Sequence, residues 1–378
     1  MRILYISPYL EVGGTEEHLF QLIKHLRNRH EIILLAPKGK SLKRFQRLDI
    51  EMVHFPILMG WRLLHGPPEF IRKLRRVYKD SRPDIVHIHS GAELLLLAKL
   101  SGVKAPLIFT SHSQFHGGEA GTYGYRIYRL EYYFITLFGN LFAEKVIAVS
   151  EIVKQQLVNR GLAPKKITVI HHGTEAIVAD EDRAKRTRAS YGIAESELVL
   201  GTIGRLSKEK RISLLLEAAA RLPNTVSVII IGDGKERGAL EQLARRLGLA
   251  ERVIFTGFID NTPDHLEMLD IYVSTSEAES FGLATLEAMS AGKPIVASDL
   301  AATQEVVGES GLLFQRSSLT DLVSKLSLLI ERPDLRGGLG QKARARFQQR
   351  FSVDQMVERT EQLYERLPGK VLNGSDTI

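Results

Sequence analysis

The chain has 378 residues, no cysteine, 44% hydrophobic and 25% charged residues, and a net charge of +7. That length accommodates two domains with sizeable cores, and the missing cysteines exclude disulfides, thiolate zinc sites and a cysteine nucleophile. No apolar run is long enough to span a bilayer as a helix, so the expectation is a cytoplasmic protein, either soluble or peripheral at the inner face of the membrane.

Charge is uneven along the sequence. Residues 1–175 hold 25 Lys+Arg against 15 Asp+Glu, a balance of +10, whereas residues 176–378 hold 26 against 29, a balance of −3. A basic front half suits anionic lipid, phosphorylated substrate or nucleic acid, and charge alone does not choose among them.

In chain order, short β-branched runs alternate with helical ones. The front half reads as strands at 2–7, 31–36, 50–55, 84–90, 106–113, 145–150 and 167–172, and the back half at 197–204, 226–234, 252–258, 270–276 and 293–298. This alternation predicts an α/β protein with two doubly wound parallel sheets, with ligands where strand ends meet loops. Between the halves, the highly charged stretch 175–196 has no strand period and marks the domain boundary. Its acidic triplet, Asp180 to Asp182, reads as solvated rather than metal-binding.

Four groups of residues carry candidate chemistry. Gly13 and Gly14 follow the first strand and open a helix at about Thr15, where free amides and the helix dipole favour an anion. The Rossmann order of glycines is absent there. Arg205 and Lys210 bracket a turn after a buried strand, and a planar fork beside a mobile ammonium suits a diphosphate. Among the strand-end histidines, His87 and His89 read as structural, whereas His112 falls where a ligand cleft is expected. Finally, "EAESFGLATLEAM" places Glu279 in a loop, Gly282 at a close backbone approach and Glu287 one turn inside the next helix. On an unbroken helix a spacing of eight would turn the two carboxylates about 80° apart, so the pattern requires strand, turn and helix.

Together these segments resemble the family-4 retaining glycosyltransferases of the GT-B fold. "GGTEEHLFQLIKHL", "PDIVHIHS", "VIAVSE", "GRLSKEK", "IGDGKERGALEQLA", "VIFTGF" and "EAESFGLATLEAMSAGKPIVAS" occur in the family's order, the last matching its Glu-x7-Glu signature. The resemblance implies two Rossmann-like domains: an acceptor side over 1–178, joined by a C-terminal helix in 356–378, and a nucleotide-sugar donor side over 179–355. It implies that Glu287 bonds the donor's ribose and Glu279 the transferred sugar's hydroxyls, with the amides of Phe281, Gly282 and Leu283 near sugar and phosphates. Arg205 and Lys210 match the diphosphate pair, His112 the histidine beside the donor sugar, Gly13 and Gly14 the loop over the phosphates, and Phe258 and Ile259 the base contact. It further implies retention by same-face attack, no metal and no cofactor, with glycan or lipid-linked acceptors of cell-envelope or exopolysaccharide synthesis. Two positions depart from the pattern: Arg211 stands where glycine is common, and "HHGTE" at 171–175 where Asn-Gly-x-Asp is common.

Two alternatives remain at this level. Another GT-B enzyme, such as a nucleotide-sugar 2-epimerase, lacks the Glu-x7-Glu signature. A basic nucleic-acid-binding protein would need a reading module, and none is visible, so no nucleic-acid partner is expected. The basic segment 55–79, with Trp61, and the aromatic segment 122–142 instead suit an anionic membrane surface.

Overall fold

The computed structural model describes residues 1–56, 66–112, 123–178, 180–259 and 261–367, with side chains for all but 123–131. Trp61 lies outside the described residues. The chain forms two compact units: Met1–Gly173 together with the stretch that starts at Val353, and Thr174–Ser352.

The first unit is built on seven parallel strands, β1 (Arg2–Ile6), β2 (Glu31–Leu35), β3 (Glu51–Val53), β4 (Ile85–His89), β5 (Leu107–Ser111), β6 (Lys145–Ala148) and β7 (Ile167–Val169). Their order across the sheet is β3-β2-β1-β4-β5-β6-β7. β4 and β5 are buried at every position, as expected where helices cover both faces of a parallel sheet. The helix Val353–Glu365 belongs to this unit, and its Val353, Met356, Val357, Leu363 and Tyr364 join the core of β1, β2 and the helix Gly14–Leu26. Polar contacts fix its register: Tyr364 Oη lies 3.0 Å from Tyr5 Oη and 2.6 Å from His87 Nδ1.

The second unit carries six parallel strands, β8 (Leu198–Ile203), β9 (Val226–Ile231), β10 (Val253–Gly257), β11 (Ile271–Ser274), β12 (Ile295–Ser298) and β13 (Leu312–Phe314), in the order β10-β9-β8-β11-β12-β13. β13 was absent from the sequence expectation. It has three residues at the sheet edge, paired to β12 from Val296↔Leu312 to Ser298↔Phe314, and its Leu-Leu-Phe is too short to show a period. The charged boundary stretch contains a helix, Glu181–Ser190, which Asp180 caps by accepting from the Arg183 amide at 2.9 Å. Asp180 also accepts from Arg183 Nε at 3.2 Å. Within the acidic triplet, Asp180 is the residue that caps.

Each sheet reverses its strand order once, between β1 and β4 and between β8 and β11. At such a switch point the loops leaving two neighbouring strands part company and open a crevice at their carboxyl ends. Several strands end earlier than the sequence suggested, and the residues released include His112 after β5, Gly204 after β8 and Thr275 after β11.

Candidate active site

The switch point of the second unit gathers most of the candidate residues. β8 ends at Ile203, and the loop through Gly204 and the exposed Arg205 reaches a short turn of 3₁₀ helix, Lys208–Lys210. β11 ends at Ser274 and leads through Thr275, Ser276 and Glu279 to the helix Leu283–Ser290. Gly282 stands at that helix's N-cap with φ +99°, a left-handed conformation that glycine adopts without steric cost. The first-turn amides of this helix have no intrahelical acceptor, so they face the crevice as ready donors. Lys210, Tyr272, Ser274, Glu279, Gly282 and Leu283 line one pocket there.

Hydrogen bonds lace the two loops together. Lys210 Nζ donates to Glu279 Oε1 at 2.5 Å, and Ser276 Oγ donates to the same oxygen at 2.8 Å. Thr275 Oγ1 donates to the Lys210 carbonyl at 2.9 Å, and the Glu277 amide to the Glu209 carbonyl at 2.8 Å. Arg211, the departure from the expected glycine, adopts φ +46° and reaches the Glu277 carboxylate and, at 3.0 Å, Ser317 Oγ. A left-handed backbone costs a non-glycine residue about 1 kcal/mol or more, so these side-chain contacts offset a local strain.

Tyr272 connects the two glutamates of the signature. Burial pushes its phenol well above the usual tyrosine range, and the carboxylates of Glu279 and then Glu287 push it further. The hydroxyl meets the Thr285 side chain and the Ile203 backbone, contacts that partly offset this rise, and Tyr272 lines the pocket. Tyr272, Thr275, Ser276 and Glu277 did not stand out in the sequence. Tyr272 lies inside a strand pattern that reads simply as core.

The remaining candidates are distributed as follows. Phe281 is only 2% exposed, with its ring centroid 5.7 Å from that of Phe351, so its ring is packed in the core and does not line the pocket. Phe258 is 58% exposed just after β10, with Ile259 half-buried beside it, and neither lines the pocket above. Gly13, Gly14 and His112 belong to the first unit. Gly13 precedes the helix Gly14–Leu26 in extended conformation, and both glycines are exposed.

His112 lies in a buried histidine cluster that the sequence only half disclosed. Its Nε2 is 3.2 Å from His89 Nδ1, and its ring stacks on His172 at a 5.4 Å centroid distance. His18, on the first helix, closes the group with its Nδ1 2.8 Å from His172 Nδ1. Burial pushes His18 down to about 3 and His89, His112 and His172 well below the usual histidine range, so all four rings are neutral. His87 sits behind them, held between Tyr364 Oη and Thr110 Oγ1 at 2.6 and 2.7 Å.

Comparison with known proteins follows the division into units. Residues 12–176 match the family model described as Glycosyltransferase Family 4, and residues 183–346 the one described as Glycosyl transferases group 1. The N-acetyl-alpha-D-glucosaminyl L-malate synthase of Bacillus anthracis is 25% identical over 370 residues, 95% of each chain. The O-antigen biosynthesis glycosyltransferase WclY of Escherichia coli is 24% identical over 375 residues, 98% of this chain and 100% of that one. A crystal structure of Anabaena HepE in complex with UDP-glucose superposes with a TM-score of 0.85 at 24% identity, covering 97% of this chain and 100% of that one. With two parallel-sheet units, a switch-point site in the second and family matches across both, the chain belongs to the GT-B glycosyltransferases.

Proposed function

We propose that this glycosyltransferase transfers a sugar, with retention of anomeric configuration and without a metal, from a nucleotide-sugar donor to a hydroxyl of a glycan or lipid-linked acceptor in cell-envelope or exopolysaccharide synthesis. The observation that carries the donor assignment is the Lys210–Glu279–Ser276 constellation beside the helix N-terminus at Gly282. In the reaction the bond from the anomeric carbon to the diphosphate breaks, a bond to the acceptor oxygen forms, and the acceptor proton passes to the leaving phosphate. Negative charge therefore grows on the diphosphate, where Lys210, Arg205 and the first-turn amides after Gly282 meet it; no divalent ion is needed for that electrostatic task. Glu279 Oε1 already accepts from Lys210 and Ser276, which leaves Oε2 to a hydroxyl of the sugar. Glu287, one turn deeper, takes the ribose, and Phe258 and Ile259 take the base. In the first unit we assign His112 to the donor sugar and Gly13–Gly14 to the phosphates, on the family resemblance. Nucleotide-sugar use is supported by the HepE complex, and envelope synthesis by the WclY relative. We further place the protein in the cytoplasm, with the basic first unit meeting an anionic membrane surface.

The test is nucleotide release from a panel of UDP-, GDP- and ADP-sugars, read alongside thermal shift by the same donors. One donor that stabilises the chain and turns over in EDTA is the expected result. Stabilisation by none of them overturns the donor assignment, and activity lost in EDTA and restored by Mg²⁺ overturns the metal-free mechanism.

A further inference from the structure

The histidine cluster of the first unit contains more imidazole than a packed core needs. His18, His89 and His112 come from three separate elements: the helix Gly14–Leu26, β4 and the residue after β5. They are 2%, 0% and 7% exposed. Each can offer one ring nitrogen such that the three nitrogens lie within 4.8 Å of one another. His172 packs on two of them, with ring centroids 4.6 Å from His18 and 5.4 Å from His112.

A core of this kind would ordinarily satisfy every ring nitrogen, because a buried polar atom without a partner costs about 1–3 kcal/mol. Here His89 Nε2 and His112 Nδ1 are buried with no hydrogen-bond partner among the described residues. Two orphaned acceptors or donors in one cluster imply a species that the protein atoms do not supply. A water molecule would answer one of them. A cation with a preference for imidazole is the other candidate, and neutral imidazoles converging from separate elements are its usual ligand set. Cysteine and carboxylate ligands are not needed for this, and a site of imidazoles alone favours the late first-row metals over magnesium or calcium.

We propose that His18, His89 and His112, with His172 as the adjacent fourth ring, form a binding site for a late first-row divalent cation, with zinc as the reference ion. For tetrahedral zinc the nitrogens would draw in to separations of roughly 3.3 Å, from metal–nitrogen bonds of about 2.0–2.1 Å. Rings already approach this closely, at 3.2 Å between His89 Nδ1 and His112 Nε2, the nitrogens opposite the orphaned ones, and at 2.8 Å between His18 Nδ1 and His172 Nδ1. Occupancy would tie the first helix to β4 and the end of β5. His112 is also the residue assigned above to the donor sugar, so the two uses compete for its ring, and binding is measured without donor to keep the metal test apart from that assignment.

The experiment uses full-length protein, cleared of metal with a chelator and buffer-exchanged, titrated with Zn²⁺ against a chromophoric competitor, and separately with Co²⁺ for its visible spectrum. The expected result is one Zn²⁺ per chain, a Co²⁺ spectrum of tetrahedral intensity, and binding weakened at least about tenfold in His89→Gln and in His112→Gln but unchanged in His265→Gln, a histidine of the other unit. Wild-type protein that binds no Zn²⁺, or variants that bind it as the wild type does, would overturn the proposal. Should the variants fail to fold, the wild-type spectrum decides alone: weak octahedral bands, or none, would equally overturn it.

Discussion

Glu279 and Glu287 differ in what already holds them. Glu279 shares a carboxylate oxygen with Lys210 and Ser276 at the loop, whereas Glu287 lies one turn into the helix, with the buried Tyr272 phenol sensing both. Replacing Glu279 by Gln keeps the shape but gives up the charge that positions Lys210, so turnover should fall about a hundredfold while nucleotide affinity changes little. Glu287→Ala should do the reverse, weakening nucleotide binding with a smaller effect on turnover of bound donor. Steady-state kinetics with nucleotide competition separates the two; identical profiles for both variants would show that they do not divide the donor between them. Arg205→Ala and Lys210→Ala should each lower kcat/KM by about 10²-fold or more, as loss of a group facing developing charge does. The spacing of the two glutamates was legible in the sequence because Gly282 and the β-rich run before it broke the helix. The residues that hold them in place, Tyr272, Ser276 and Glu277, were not, because a tyrosine in a buried strand and polar residues in a loop look alike whatever they contact.

At the level of elements, the helix Pro333–Arg350 shows how position decides the effect of one residue type. It contains Gly337, Gly338 and Gly340 within one turn. A Cβ at Gly337 or Gly338 would meet nothing within 4 Å, whereas one at Gly340 would come within 2.3 Å of the Gly292 carbonyl oxygen. Gly292 itself ends the signature helix with φ +72°, so the close approach pins that helix against its neighbour. Gly337→Ala and Gly338→Ala should therefore each stabilise the chain by about 0.5–1 kcal/mol through helix propensity, while Gly340→Ala destabilises it by about 1–3 kcal/mol through overpacking. Thermal melts of the three variants check this, and a rise in midpoint for Gly340→Ala would mean that the contact is not tight. Twelve of the strands were readable because strands buried on both faces appear as short apolar runs. β13 was not, since three residues at an edge carry no period. The histidine cluster was also hidden, because His18, His89, His112 and His172 are distant in sequence and only the side-by-side pairing of β1, β4, β5, β6 and β7 brings their elements together.

On the scale of the whole molecule, the charge difference between halves survives the return of the C-terminal helix. Counted by unit, residues 1–173 and 353–378 carry 28 Lys+Arg against 19 Asp+Glu, a balance of +9, and residues 174–352 carry 23 against 25, a balance of −2. No helix among the described residues is long and apolar enough to cross a membrane. The helix Gly66–Ser81 buries Phe70, Leu74 and Val77 and leaves Arg72, Arg75, Arg76 and Lys79 outward, so its apolar stripe is spent on the core and only its basic face is available to a surface. Part of that face is already engaged: Lys73 pairs with Glu69 at 3.0 Å, Arg76 with Asp80 at 3.6 Å, and Arg75 donates to the Leu100 carbonyl at 3.0 Å. Exposed pairs of this kind are worth no more than about 1 kcal/mol, comparable to what one cation gains near an anionic surface, so lipid phosphates can compete for them. In the proposed membrane contact a second contribution would come from the helix Tyr123–Phe142, where Tyr133 and Leu141 are 60% and 62% exposed. The expected outcome is co-sedimentation with anionic vesicles that falls steeply as salt rises from low to moderate, little with neutral vesicles, and a loss of at least about tenfold when Arg72, Lys73, Arg75 and Arg76 are neutralised together. Equal and negligible binding to both vesicle types would overturn the membrane contact and leave a soluble acceptor as the better reading.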